Sequence, residues 1–262
     1  MGNIEAIILG LVQGLTEFLP VSSSGHLVIF QELLGVQEAG ITFEVMVHFG
    51  TLLSVIWVFG GDIIRLATRF TREKQERHFV FMILLGTIPT ALMGLFLGDL
   101  FTQFYDTPII TGFMLLVTGV ILFTLSRLTS GRKNEGTMTA KDALLVSVAQ
   151  GIAIIPGISR SGLTISSALW RGLDRETAVR FSFLVSIPVI LGATLLELKD
   201  ISEMGFVGLN STMLYGMVTA FVAGIFAIRL FVNFVQKGKF HYFAYYCWVA
   251  GSATIIYKVS GF

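Results

Sequence analysis

The sequence predicts an all-α, polytopic membrane protein, with six transmembrane helices plus two re-entrant helical hairpins arranged as an inverted repeat. Three observations predict it. Of the 262 residues, 54% are hydrophobic and only 13% charged, whereas a soluble domain needs about a quarter charged to cover its surface. Six apolar stretches approach the roughly 20 residues that carry a helix across a bilayer. Two more apolar stretches are each broken near the middle by Pro, Gly and Ser.

In chain order, a broken segment at 4–34 precedes spans at 43–60, 78–98 and 108–128. A second broken segment at 141–170 precedes spans at 176–197, 212–234 and 243–260. The broken segments are too short to cross twice and too irregular to cross once. Non-helical backbone at membrane depth survives only when buried in protein or lining a wet cavity, so hairpins are expected. The N-terminus lacks the positive start of a secretory signal and Glu17 interrupts the apolar run, so it reads as mature protein. Cys247 is the single cysteine and is expected to pack, since it allows neither a disulfide framework nor a cysteine metal site. The net charge of +1, with no long basic run, argues against nucleic acid as a partner.

Lys and Arg set the orientation. Arg65, Arg69, Arg72, Lys74 and Arg77 lie in the linker 61–77, and Arg127, Arg132, Lys133 and Lys141 follow the third span. Arg171 and Arg175 follow the second hairpin, and Lys237 and Lys239 precede the last span. The linkers 35–42 and 99–107 hold no Lys or Arg, and 198–211 holds only Lys199. One topology puts every basic linker in the cytoplasm. It places both termini outside, with the first hairpin entering from outside and the second from inside.

The two hairpins resemble each other. A shift of 137 residues pairs Gln13 with Gln150, Gly14 with Gly151, Ser22 with Ser159, Ser24 with Ser161 and Gly25 with Gly162. Pro20 and Pro156 fall one column out of step. Self-similarity of this kind marks a repeat. The chain reads as a single membrane domain, 1–262, with repeats at approximately 1–128 and 141–262 and a cytoplasmic linker at 129–140. Each half is one hairpin plus three spans, so the odd number of crossings inverts the second copy. Inverted repeats with broken helices place their site near the midplane, where the copies meet.

Chemistry is concentrated at the breaks. The first reads Gln13-Gly-Leu-Thr-Glu17-Phe-Leu-Pro20-Val-Ser22-Ser23-Ser24-Gly25-His26. Gln13 and Glu17, four apart, share a helix face. Pro20 ends that helix, and the serines, N-cap types, predict a second helix from near Ser24 to about Leu34. The second break, Pro156-Gly-Ile-Ser159-Arg160-Ser161-Gly162-Leu-Thr164, repeats the design. Two helix N-termini facing each other would surround an anion with N–H and hydroxyl donors. The planar fork of Arg160 suits phosphate oxygens. The physical reading is a phosphate pocket.

Glu17 departs from a plain anion binder. A carboxylate at the bilayer centre costs about 2.5–3.5 kcal/mol on insertion scales, which marks it as functional by default. Beside a phosphate it calls for a bridging Mg or Ca ion, or a proton to exchange. His26 can carry a proton near neutral pH. Bland alternatives stand beside these. Glu17 can simply pair with Arg160, the serines can be caps, and His26 can be a hydrogen-bonded interior histidine. Ser161 and Thr164 read as supports. Glu44 and His48, four apart on the next helix, read as a polar interhelical contact sooner than a second metal pair, and the charges from Asp62 to His78 as a solvated linker.

Both segments resemble the undecaprenyl-diphosphate phosphatase family, also known as the bacitracin-resistance proteins. Gln13 and Glu17 match its first motif, where Gln13 stands in place of Glu. Pro20 to His26 match its Pro-Val-Ser-Ser-(Ser/Thr)-Gly-His continuation, and Pro156 to Thr164 match its second motif. The likeness runs the whole length. It implies hydrolysis of a C55 isoprenyl diphosphate to the monophosphate and inorganic phosphate. This recycles the lipid carrier for peptidoglycan and other wall polymers and, in excess, confers bacitracin resistance. It also implies a divalent cation (Mg or Ca), an inner-membrane location and a pocket opening to the periplasm. By motif, Glu17 would be metal ligand or base, and Ser23 or His26 nucleophile or proton carrier. Arg160 would hold the phosphates, with Gln13, Ser22, Ser24, Gly25, Ser159, Ser161, Gly162 and Thr164 lining the headgroup site. The nucleophile, isoprenoid length and oligomeric state, homodimer included, stay open.

A second lipid-phosphatase family with Ser-Gly-His and Ser-Arg segments needs a His six residues beyond the Arg. Ser166 stands there, so that family is rejected. The rival from another class is a transporter or flippase of polyprenyl phosphate, since broken inverted repeats are a transporter design. A buried carboxylate and histidine beside the anion favour the enzyme.

Overall fold

The structure, a computed structural model, describes residues 1–36, 41–102, 108–204 and 211–260. Among these residues the chain is all-α, with eleven helices and a single isolated bridge, between Lys133 and Leu173. Helix α1 (Asn3–Phe18) and α2 (Ser23–Leu33) are followed by α3 (Ile41–Val58), α4 (Gly60–Arg69), α5 (Lys74–Thr102) and α6 (Pro108–Leu125). Then α7 (Ala140–Ile152) and α8 (Arg160–Trp170) precede α9 (Arg175–Met204), α10 (Ser211–Gln236) and α11 (His241–Val259). The expected linkers 35–42, 99–107 and 198–211 fall in part outside the described residues.

Both expected breaks are present. α1 stops at Phe18 and its C-cap, Leu19, is extended at ψ 144°, as the residue before a proline prefers. α2 starts one residue earlier than the cap residues suggested, with Ser22 as its N-cap. α7 opens on a capping box between Thr139 and Asp142, which satisfies two of the orphan donors at a helix start. Three helices, within Lys74–Gly98, Arg175–Leu196 and Ser211–Gln236, are long and apolar enough to cross a membrane. The α3–α4 pair, bent by 65°, makes a fourth if it counts as one span. α6 is apolar but shorter.

Packing interlocks the halves. α1 packs on α10 while α7 packs on α5, and α3 packs on α10 while α9 packs on α5. The pairs α3–α9 and α6–α11 join the halves directly. Exchanging the halves maps this pattern onto itself. The α1–α10 contact uses missing side chains: a Cβ on Gly10 would meet the Gly216 carbonyl oxygen at 2.3 Å, and one on Gly14 the Ala220 oxygen at 2.5 Å. Small residues let backbones approach where lipid offers no hydrophobic drive for helix association.

The charges after α3 form a solvated linker only in part: Arg69, Arg72, Glu73, Lys74 and Arg77 are exposed, while Asp62, Arg65 and Glu76 are drawn into ion pairs. Gly60–Arg69 is an amphipathic helix that buries Leu66, and its polar face is tied down by ion pairs. Arg65 reaches Glu135 at 3.0 Å and Glu76 at 3.5 Å, and Arg180 pairs with Asp62 and, at 2.6 Å, with Glu135. Glu76 and Glu135 are buried, and burial pushes the Glu135 carboxyl above the usual range against the pull of Arg180 and Arg65. His78 bonds the Met138 carbonyl at 2.7 Å. Excess charge in an apolar sequence is paired, because an unpaired buried charge is costly.

Candidate active site

The two breaks meet. The Gly157 N–H donates to Ser22 Oγ at 3.1 Å, and a Cβ on Gly162 would touch Pro20 at 3.1 Å. Gly157 has φ +88°, and a Cβ there would meet the Thr111 carbonyl oxygen at 2.4 Å. Only glycine turns the second tip here. In the first tip Ser22 itself adopts φ +67°, a conformation that costs an L-residue about 1–2 kcal/mol.

Across this junction one carboxylate gathers the chemistry. Arg160 Nη2 donates to Glu17 Oε1 in a short ion pair. Ser23 Oγ donates to Glu17 Oε2 at 2.6 Å, and Gln13 Nε2 donates to the same oxygen at 3.0 Å. Ser23 and Arg160 are the first residues of α2 and α8, so the carboxylate lies where two helix starts converge. The expected structural ion pair is therefore present, within a larger cluster. Two buried polar atoms of the cluster have no hydrogen-bond partner among the described residues, the Gln13 amide oxygen and Arg160 Nη1.

The remaining expected residues surround this centre. Ser22 and Ser24 hydroxyls are 3.3 Å apart, and a Cβ on Gly25 would meet Thr111. Ser159 caps α8 by accepting from the Gly162 N–H at 3.1 Å, with Ser161 Oγ 3.3 Å away. Thr164 donates to the Arg160 carbonyl at 2.8 Å and is bonded to Ser182. His26 is buried, but its ring bonds the Ser22 carbonyl and Tyr246 rather than Glu17, Ser23 or Arg160. Glu44 joins α3 to α2 through Gln31 at 3.2 Å, the expected interhelical contact. His48, bonded to the Glu44 carbonyl at 2.8 Å, lies within electrostatic reach of Glu17.

Sequence reasoning missed Thr118, Ser182, Ser186 and Tyr246. Thr118 donates to the Gly157 carbonyl at 3.0 Å and accepts from the Ser159 N–H at 3.3 Å. Ser182 and Ser186 line a cavity of about 10 Å³ with Arg160, Ser161 and Thr164, room for about one water molecule. A signal for the serines existed, since they stand four apart in the apolar middle stretch of α9. None existed for Tyr246, one aromatic among many.

No group of three or more His, Cys, Asp or Glu side chains able to hold a metal occurs among the described residues. Glu17 and the unpartnered Gln13 oxygen still fit a hard cation that takes most of its ligands from phosphate and water, as Mg does.

Residues 6–253 match the model of the family described as bacitracin resistance protein BacA. The chain belongs to the BacA family. Among its relatives, the undecaprenyl-diphosphatase of Alkaliphilus metalliredigens is 46% identical over 99% of this chain and all of its own length. That of Halothermothrix orenii is 47% identical over 98% of both chains, and that of Carboxydothermus hydrogenoformans 43% identical over 100% and 99%. With its apolar helices, this BacA-family chain is a multi-pass membrane protein. The Glu17–Ser23–Arg160 cluster lies inside the matched range.

Proposed function

We propose that the chain hydrolyses undecaprenyl diphosphate, a C55 isoprenyl diphosphate, to undecaprenyl phosphate and inorganic phosphate, recycling the carrier lipid for cell-wall synthesis. The observation that carries the reading is the Ser23–Glu17–Arg160 chain. A hydroxyl already donating to a carboxylate is the arrangement of an activated nucleophile, and an arginine fork next to it suits the attacked phosphate.

Arg160 Nη1, a buried donor without a partner among the described residues, takes a terminal phosphate oxygen, and the N–H groups at the starts of α2 and α8 take others. Ser23 Oγ attacks the terminal phosphorus and passes its proton to Glu17. The bond from phosphorus to the bridging oxygen breaks, Glu17 gives that proton up to the departing monophosphate, and the lipid monophosphate leaves. Water then attacks the phosphoserine, the once more ionised Glu17 takes its proton and hands it to Ser23 Oγ as the P–Oγ bond breaks, which restores the Ser23 hydroxyl and releases inorganic phosphate. Glu17 and Gln13 would hold a Mg or Ca ion, which would offset phosphate charge. Ser22, Ser24, Gly25, Ser159, Ser161, Gly162 and Thr164 shape the headgroup site.

The membrane arrangement belongs to the same reading: six spans and two re-entrant hairpins, with inverted repeats at approximately 1–128 and 141–262 in the inner membrane, opening to the periplasm. The contacts between linkers support it. Residues assigned to the cytoplasm touch one another, as in Arg65 with Glu135 at 3.0 Å and Arg175 with the Gln236 carbonyl at 2.8 Å. Residues assigned to the outside do likewise, as in Thr212 with Asn3 at 3.0 Å and Lys258 with Glu32 at 3.3 Å.

Purified protein in detergent is expected to release phosphate from a long-chain isoprenyl diphosphate with Mg and to lose the activity with a chelator. No release from any such lipid, together with net polyprenyl phosphate transport in liposomes, would establish the transporter instead.

A further inference from the structure

His26 is committed on both ring nitrogens. Nδ1 lies 2.8 Å from the Ser22 carbonyl oxygen. A carbonyl only accepts, so Nδ1 carries the proton. Nε2 lies 2.6 Å from Tyr246 Oη, and the two rings are nearly parallel, 17° apart with centroids at 5.6 Å. In the neutral ring Nε2 is then the acceptor of the Tyr246 hydroxyl. His26 is 5% exposed and Tyr246 46%, so the tyrosine covers the histidine from the outside of the bundle.

What His26 grips is the strained residue. Ser22 has φ +67°, and its side chain makes no cap bond to α2. It is held instead by the Gly157 N–H on its hydroxyl and the His26 N–H on its carbonyl. Ser22 immediately precedes Ser23, whose hydroxyl meets Glu17, so its backbone sets the direction of Ser23.

The second tip is pinned in a parallel way. Thr118 of α6 holds the backbone of Gly157 and Ser159, while α11 holds the first tip through Cys247 on the Pro20 carbonyl, at 3.4 Å, and Tyr246 on His26. α6 and α11 each close one half and pack on each other. In each case the last helix of one half holds the hairpin tip of the other.

Resting on the phosphatase reading, we infer that Tyr246 and His26 are positioning residues. They lock the strained Ser22 backbone and thereby present the Ser23 hydroxyl to Glu17, and His26 is neither the nucleophile nor the proton carrier. Asn places an amide nitrogen close to the His Nδ1 position, so His26→Asn can keep the N–H to Ser22 while removing Nε2 altogether.

The experiment measures kcat, KM and the pH profile of phosphate release for wild type, Tyr246→Phe, His26→Asn and His26→Ala, with thermal unfolding in detergent to confirm folding. A positioning role predicts a roughly tenfold lower kcat at unchanged KM for Tyr246→Phe. It predicts that His26→Asn stays within about tenfold of wild type and keeps both pH limbs, while His26→Ala falls about 100-fold or more. His26→Asn as inactive as His26→Ala, or Tyr246→Phe at full kcat, overturns the inference. A substrate-free reading comes from ring ¹⁵N NMR, with His26→Asn to assign the signal. His26 is expected as the Nδ1–H tautomer, and the Nε2–H tautomer also overturns the inference. Wild type inactive on every isoprenyl diphosphate, with the expected tautomer, would sink the phosphatase reading alone.

Discussion

At the residue scale, Glu17 is the hinge of the proposed chemistry because it receives bonds from Gln13, Ser23 and Arg160 together. Glu17→Gln keeps the shape but cannot take a proton, and Arg160→Ala removes both the fork and the charge. Each is expected to lower kcat about 10³-fold or more, read by phosphate release from protein that still migrates as a folded peak. Asp142 tests a different kind of charge, where the linker 129–140 meets α7. Burial alone would raise its carboxyl. The Thr139 N–H and hydroxyl, Lys133 and Arg171 hold it down to about 2. A depressed folded pKa stabilises above the ordinary carboxylate range and is lost as pH falls through it. Asp142→Asn is therefore expected to cost about 2 kcal/mol near neutral pH. The gap from wild type should shrink as the pH drops from 4 towards 2, followed by thermal unfolding. A gap that stays constant over that window would remove the ionic explanation.

The hairpin tips carry the argument at the element scale. The first turn was legible from Pro20 and the serine run, because proline geometry and capping are local. Its backbone was not, since nothing in the sequence says that a serine will take φ +67°. The opposite tip relies on Gly157, where an added Cβ meets both a positive φ and the Thr111 carbonyl. Gly157→Ala is expected to destabilise by at least about 1–2 kcal/mol and to lower activity, measured as melting temperature and kcat on one preparation. Unchanged values would mean that the tip relaxes freely. α4 was misread in part: Arg69 is exposed as expected, but Arg65 and Asp62 are not free in solvent, because a sequence does not show that Glu135 and Arg180 fold back onto them.

For the whole molecule, the proposed topology rests on the basic linkers and the interchanged packing of the halves, and labelling can test it. Cys247 is fully buried, so single cysteines can be added without background. An impermeant maleimide is expected to reach Ser211→Cys from outside intact cells, and Ser130→Cys only after permeabilisation. The reverse pattern would invert the orientation. The proposed repeat is not symmetric at the site. With the 137-residue shift, Glu17 aligns with Ile154 and Ser23 with Arg160. One break carries the carboxylate and hydroxyl, and the other the cation.

Composition, apolar run length and the placing of Lys and Arg determined the membrane class, the order of elements and the expected side of each linker. Residue chemistry at the two breaks gave the expectation of a phosphate pocket there. All of these are properties of short windows of chain. Only tertiary structure decided that Glu17 meets Arg160, 143 residues away, that α4 is clamped by ion pairs, and that His26 faces Tyr246. Those pairings join residues far apart in the chain through packing between elements, as does the close approach that Gly10 and Gly14 allow between α1 and α10, and on such packing local periodicity is silent.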